Sequence, residues 1–299
     1  MSNPKHHHYI PVTYLKRFCK NDKIWVYDAK TDNYYEQPPK TVFRIKNYYS
    51  FESETALRDV CIEDFFGRLE NDASLVLDKI ASKGKLDNDD KSTIAYYIAY
   101  QMVRIPKFRK NYEEFILSVE KKRLFLSTAT RERAKASLES IPNKKFKVTD
   151  EIIDSLVDAT KKDEFDFKVD KNYSLWLMLD LGRNLGKYFY MMDWFLFYTN
   201  QKHSFISCDS PLMIQPPSNF PKHPFIKPGV LTPGAIKFFP LSSSTCLAMG
   251  DLGEIIKGTF PPPKLIRYIN QKIALNSKRF IFGKDIELLK RIVNSLRKK

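Results

Sequence analysis

The chain has 299 residues, 43% hydrophobic and 28% charged, enough for a sizeable core and inconsistent with a disordered or low-complexity protein. Fifty Lys and Arg against thirty-five Asp and Glu leave a net charge of +15, a balance that favours polyanionic partners. No run of eighteen apolar residues, no signal-like leader and no C-x-x-C pair among the four scattered cysteines (Cys19, Cys61, Cys208, Cys246) argue against a spanning helix, secretion, a zinc ribbon and a disulfide framework, and the expectation is a cytoplasmic protein with reduced thiols.

In chain order, residues 5–18 read KHHHYIPVTYLKRF. Three histidines leading directly into patterned apolar sequence are too few for an expression tag, so the run is native. Alternation puts His8, Ile10 and Val12 on one side of an extended segment and His7 and Tyr9 on the other, and Pro11 makes it an edge strand or irregular. Residues 23–39 predict a hairpin with its turn at 30–33, followed by an extended stretch at 41–51. From about 54 to 80 the period becomes helical, with Leu57, Cys61, Phe65, Leu69 and Val76 on one stripe. A second helix over 86–106 has acidic residues in its first turn and Pro106 as its stop. Two or three further helices run from 107 to 163, and a longer one from 174 to 192. Residues 194–214 predict strand, turn at 200–202, strand. Prolines between 211 and 233 predict a surface loop, residues 236–242 and 244–250 two strands, 264–276 a helix, 279–283 a strand, and the remainder a basic helix.

This order predicts an α+β protein: a single domain over 1–299 with a small mixed or antiparallel sheet built from N- and C-terminal strands, and a central helical bundle insert. Residues 54–192 are its predominantly helical middle, and 193–283 its strand-rich part with the Pro-rich loop 211–233. The charge is unevenly placed. Residues 104–147 hold thirteen basic and five acidic side chains, and residues 278–299 eight and two. Such blocks bind phosphate backbones through counterion release, and the 14% aromatic content offers stacking surfaces beside them.

Four constellations can carry chemistry. His7 and His8 can supply a base near neutral pH or a metal ligand, or can be hydrogen-bonded within the fold. In YYIAYQMVRIP, helical spacing puts Ile94, Tyr97, Ile98, Gln101 and Arg104 on one face. Gln101 and Arg104 therefore lie on an apolar stripe, where burial without partners costs several kcal/mol, so they require a carboxylate, a carbonyl or a bound anion. Glu63 and Glu70, seven apart on the preceding helix, point the same way and can bind a metal with the histidines, satisfy Arg104, or stay solvated. At the strand end SFISCDSPLMI, Asp209 can be a metal ligand, orient a histidine, or cap its own turn. No Walker loop, dinucleotide fingerprint, nucleophile elbow or H-E-x-x-H is present.

These segments together resemble a bacterial family known as domain of unknown function 4238. Its members open with HHY-(I/V)-P followed by a Leu and an aromatic, here His7, His8, Tyr9, Ile10, Pro11, Tyr14, Leu15 and Phe18. An acidic pair on a helix matches Glu63 and Glu70, and a Q-x-x-R-x-P helix end matches Gln101, Arg104 and Pro106. A Phe-Ile-(Thr/Ser)-Ser-Asp-x-Pro strand end matches Phe205 to Pro211, a Phe-Pro-Leu strand matches Phe239 to Leu241, and a later segment matches Ile269 to Gly283. The chain departs at Cys208, where the family usually has Ser, which weakens any role for a hydroxyl there and leaves Asp209 intact. The resemblance spans nearly the whole chain and supplies no activity.

Seven polar side chains at element ends and inward faces exceed what a core requires. The expectation is that His7, His8, Gln101, Arg104 and Asp209 converge on one catalytic site. His8, Glu63, Glu70 and Asp209 are the candidate ligands of a divalent metal, Mg²⁺ or Mn²⁺, and no organic cofactor site is expected. With the basic blocks, the reading is a metal-dependent nuclease, of a kind that would suit a toxin or phage-defence effector. His8 acts as base or ligand, Glu70 and Asp209 hold metal, and Arg104 stabilises phosphorane charge. The rival is a non-enzymatic nucleic-acid-binding or sensor protein whose buried polar network fixes the fold; a third reading is an enzyme acting on a nucleotide or a protein side chain. Expected partners are nucleic acid, with no membrane and no disulfide partner, and the oligomeric state is left open. Clustering of His8, Arg104 and Asp209 around one cleft favours the enzyme.

Overall fold

Pro11 turns the opening strand into a helix. The computed structural model describes all residues except 1–5, 47, 50–56, 201, 222, 224–225, 252, 254–255 and 299, and no side chain at 6, 57–61 or 256–257. The first elements are β1 (His6–His8), α1 (Val12–Lys16), β2 (Ile24–Asp28), β3 (Asn33–Gln37), a 3-10 turn at Pro39–Thr41, and β4 (Arg44–Lys46). β1 and β4 form a two-stranded antiparallel sheet, and β2 and β3 the expected hairpin. The extended alternation through Val12 does not occur, because Tyr14, Leu15 and Phe18 are all fully buried, and a helix brings positions three and four apart onto one side. The fixed φ of Pro11 (−56°) suits this start.

α2 (Leu57–Ala81) buries Ile62, Phe66, Ala73, Val76, Leu77 and Ile80. The predicted stripe is therefore rotated: Phe65 and Leu69 are only half-buried, and the side chains of Leu57 and Cys61 lie outside the described residues. A line drawn every four residues drifts by about 40° per step around a 3.6-residue helix, so a strict i+4 stripe leaves the core face within two turns. α3 (Asn88–Val103) starts in a capping box, Asp87 accepting from the Asp90 amide while the Asp90 carboxylate accepts from the Asp87 amide. Pro106 does more than stop this helix; it opens α4 (Pro106–Ser127). α5 (Arg131–Glu139) and α6 (Asp150–Lys161) follow, each N-capped by a threonine, Thr130 and Thr149. Residues 108–174 form one compact unit, whose core is Ala134, Leu138, Ile153 and Val157 with Val148, Ile152 and Leu156 against them.

The other unit comprises residues 1–107 and 175–299. After α7 (Lys171–Met191), the chain enters β5 (Asp193–Tyr198), β6 (Ser207–Cys208), β7 (Met213–Gln215), β8 (Ile236–Pro240), β9 (Thr245–Gly250) and β10 (Ile256–Thr259). α8 (Pro263–Asn276), β11 (Phe280–Gly283) and α9 (Ile286–Arg297) complete it. A five-stranded sheet has the order β10-β5-β9-β8-β7, with β10 parallel to β5 and the other pairs antiparallel. A four-stranded antiparallel sheet, β3-β2-β11-β6, joins the N-terminal hairpin to C-terminal strands, as an α+β chain of this pattern requires.

Residues 194–214 are not a hairpin. β5 takes β9 and β10 as its neighbours, while β6 crosses to the other sheet and pairs with β11. The backbone between them is satisfied from outside any ladder. Asn270, 2% exposed, accepts from the Ile206 amide at 3.0 Å and donates to the Ser204 carbonyl at 2.8 Å. The Pro-rich stretch is irregular except at β7, and β10 carries no sequence signal of its own. An aromatic cluster of Tyr14, Phe18, Phe43, Phe239 and Phe282 ties α1 to both larger sheets. Cys208 and Cys246 are buried free thiols and Cys19 is half-buried and free. Among the described residues, no helix is long and apolar enough to cross a membrane.

Gly182 on α7 faces the Tyr100 ring of α3 so closely that an added Cβ would lie 2.4 Å from it, and Gly186, one turn on, meets Tyr96 in the same way. The Tyr100 ring is held by its hydroxyl, which donates to the Leu179 carbonyl at 3.1 Å. Gly182→Ala therefore gains about 1 kcal/mol of helix propensity but loses about 1–3 kcal/mol to overpacking. The expected outcome is a lower melting temperature by calorimetry; an unchanged or higher one would mean that the helices separate freely here.

Candidate functional site

His7 and His8 are neighbours with opposite fates. The His7 ring is 4% exposed, stacks on Tyr49 (centroids 5.4 Å, 18°) and spends both nitrogens. Nδ1 accepts from the Tyr49 amide at 2.8 Å, so the proton sits on Nε2, 2.8 Å from the Glu63 carboxylate. His8 is half-buried. Burial pushes its pKa below the usual histidine value, opposed by a hydrogen bond from the ring to the Val42 carbonyl. Its buried Nδ1 has no hydrogen-bond partner among the described residues.

The His8 ring feels the charges of Glu70 and Arg104. Arg104 caps the C-terminus of α3, is 2% exposed, lies over the Phe66 ring at 4.9 Å and donates to Glu70 at 2.8 Å. Its backbone carbonyl accepts from the Tyr48 hydroxyl at 2.9 Å, which fixes the helix end. The pairing of Glu70 with Arg104 is one of the arrangements that the seven-residue spacing allows; the other member, Glu63, serves His7 instead.

The inward face of α3 is as read: Ile94, Tyr97, Ile98, Gln101 and Arg104 are all buried. Its hydrogen bonding is incomplete. Both amide atoms of Gln101, 1% exposed, lack a partner, as does Nε of Arg104. The Tyr97 hydroxyl, beside Thr13 and within the field of Glu70, Arg104 and Arg17, is also buried, and its pKa is raised by desolvation. Leaving one buried amide unsatisfied costs about 1–3 kcal/mol. Among the described residues His8 Nδ1, Thr13 Oγ1, Arg17 Nε, the Tyr97 hydroxyl, both Gln101 amide atoms and Arg104 Nε are the buried side-chain atoms without a hydrogen-bond partner.

Asp209 lies apart from this group. It is 6% exposed, and its hydrogen bonds among the described residues go to residues 278–280 rather than to its own turn. Its carboxylate accepts the amides of Lys278 (2.8 Å), Arg279 (2.8 Å) and Phe280 (3.1 Å), fastening the start of β11. Burial raises its pKa, against the pull of those three amides. Beside it, Arg279 forms a bidentate pair with Asp28 (2.8 and 2.5 Å), and the Tyr9 hydroxyl lies in the field of Asp209 and Arg279. The four candidate metal ligands are thus distributed. Glu63 is on His7, Glu70 on Arg104 near His8, and Asp209 on β11, and among the described residues no three His, Cys, Asp or Glu side chains could hold a metal ion together.

None of these residues lines the 1160 Å³ cleft that opens between α8, α9 and the β2–β3 hairpin. Its cations come from Lys20, Lys202, Arg267, Lys284 and Arg291. The C-terminal basic block points to the last two; the first three are single basic residues far apart in sequence, with no local signal to group them.

The family model described as "Protein of unknown function (DUF4238)" matches residues 6–287. No curated protein and no solved structure matches the chain.

The Asp28–Arg279 pair makes a pH prediction. Donation from Arg279 holds the Asp28 carboxyl down to about 2, below its ordinary 3.8, so the folded state holds the proton less tightly than the unfolded chain. Its contribution to stability is fully present above 3.8 and is lost as pH falls toward about 2. Urea unfolding at pH 5 and pH 2.5 is expected to show a larger loss for the native protein than for Asp28→Asn. Equal losses in both would remove Asp28 from the acid transition.

Proposed function

As the chain belongs to the DUF4238 family, whose description carries no activity, its function must be read from its own groups, and we propose that it cleaves phosphodiester bonds in nucleic acid at the His8–Gln101–Arg104 cluster. The observation that carries this reading is open hydrogen-bonding capacity among the described residues, on His8 Nδ1, on the Gln101 amide and on Arg104 Nε, with Arg104 in the field of His8 and Gln101 one turn before it on α3. His8 takes the proton from an attacking water as the new P–O bond forms and the bond to the leaving oxygen breaks, and that oxygen is protonated from solvent. Arg104 and the Gln101 amide donate to the non-bridging oxygens, where negative charge grows. Glu70 keeps Arg104 charged and aimed. A Mg²⁺ ion, if one takes part, would be held by Glu70 together with the substrate phosphates and would supply further stabilisation of the phosphoryl charge. His7 and Asp209 are positioning residues in this scheme: one anchors β1 to α2, the other anchors β11.

A second reading has its own observation. His7, Arg104 and Asp209 each have an internal partner, which suits a protein that binds nucleic acid without cutting it.

The test is incubation of the purified protein with labelled RNA, single-stranded DNA and duplex DNA, in Mg²⁺, Mn²⁺ or EDTA. Cleavage is expected, reduced about 100-fold or more in His8→Ala. Gln101→Leu, which removes an unsatisfied amide, is expected to lose cleavage while its melting temperature stays the same or rises. No cleavage in any lane, or full activity in His8→Ala, sinks the enzyme reading. A Gln101→Leu protein that melts several degrees lower places the amide in the structural network.

A further inference from the structure

The basic cleft offers a binding site that the motif residues do not share. Its walls are α8 and α9, and its far side is the β2–β3 hairpin with the loop before it. Arg267 on α8 and Arg291 on α9 are exposed, as are Lys20 and Lys202, and Lys284 is half-exposed. Among the described residues no carboxylate pairs with Lys20, Lys202, Arg267 or Lys284, and Arg291 donates only to the Glu287 carbonyl of its own helix. The two carboxylates of the lining are already engaged: Asp285 caps α9 through the Glu287 amide, and Glu36 faces Lys23 at 3.8 Å. Five cations against these two carboxylates leave the lining of the concavity net positive.

Trp25 decides what kind of anion fits. It is half-buried, one side packed on the core of α8 and α9 and the other lining the cleft. In the sheet it pairs with Gly283, the residue before Lys284, so an indole and an ammonium stand at the same strand end. An aromatic face within a cationic groove is the arrangement that holds an unpaired base while its phosphates are neutralised on either side. A duplex presents no free base face, and a base-free polyanion makes no use of the indole.

We propose that this cleft binds single-stranded nucleic acid, with Arg267, Arg291 and Lys284 on phosphates and a base stacked on Trp25. The inference shares its ligand class with the proposed function but does not depend on cleavage.

The experiment is fluorescence anisotropy of a labelled 12-nucleotide single strand, chosen at about the upper span of one single-strand site, in EDTA with His8→Ala protein so that no turnover interferes. It is repeated over a range of salt concentrations and with a matched duplex and inorganic polyphosphate as competitors. Arg267→Ala/Arg291→Ala is expected to weaken binding at least about 10-fold and to reduce the salt slope by roughly 1.4, about 0.7 for each lost phosphate contact. Trp25→Leu is expected to weaken binding about 10-fold with the slope unchanged, and Trp25→Phe to restore most of it. Reversal of two exposed cations on the separate 108–174 unit, Lys122→Glu/Arg123→Glu, is expected to leave affinity within about two-fold. Melting temperatures of all variants verify the fold. The proposal is overturned if the double-arginine variant binds like its parent, if the control reversal removes binding instead, or if duplex or polyphosphate competes as well as the single strand. Loss of cleavage in the earlier assay with cleft-dependent binding intact would remove the nuclease and keep this site.

Discussion

β11 closes the chain on itself, and two carboxylates hold its first residues in place. Asp209 takes the three amide protons of residues 278–280, and Asp28 takes the Arg279 guanidinium from the opposite strand. Four residues of strand then join β2, more than two hundred positions earlier, to β6. Such a pairing forms only after a large loop has closed, so its entropic cost falls before most of its contacts are made. Fixing the strand end by charge-assisted hydrogen bonds gives the register a definite start. The aromatic cluster around Phe282 then seals α1 and both larger sheets over it. Everything that places His7, His8 and the basic cleft hangs from this closure.

The same chemistry explains why buried polar residues here divide into two kinds. His7, Asp209, Asn270 and Lys91 are each answered, by a carboxylate and an amide, by three amides, by two backbone groups, and by the Met192 carbonyl. They behave as fasteners, replacing ladder hydrogen bonds where strands leave their sheets. Gln101, His8 Nδ1 and Arg104 Nε are not answered in that way. An interior normally satisfies such groups, and the exceptions among the described residues also include Thr13 and Arg17 on and beside α1 and Tyr97 on α3.

The cleft and this cluster share no residue, so the two proposals rest on separate groups. In the proposed function the cluster meets a single phosphate. The cleft is broad, open and cationic, suited to a length of backbone. The net charge of +15 is concentrated in part on that concavity, where five Lys and Arg face two carboxylates.

Local patterns in the sequence determined most of the elements. The hairpin at 23–39, the capped helix ending near Arg104, the helices flanking residues 279–283 and the inward face carrying Gln101 and Arg104 are all set by turn chemistry, capping and periodicity, which act over a few residues. The sequence also marked its chemistry-bearing side chains, because polar residues on an apolar stripe stand out wherever they fold. Tertiary structure decided the partners. Alternation cannot tell that β5 and β6 enter different sheets, since strand pairing depends on distant registers and on Asn270 satisfying the backbone between them. Nor can spacing tell that Glu63 serves His7 and Glu70 serves Arg104, that Asp209 fastens β11, or that Lys20, Lys202 and Arg267 gather around Trp25. Those groupings follow from which surfaces meet when the core closes, and contact between segments hundreds of residues apart leaves no trace in the order of neighbours along the chain.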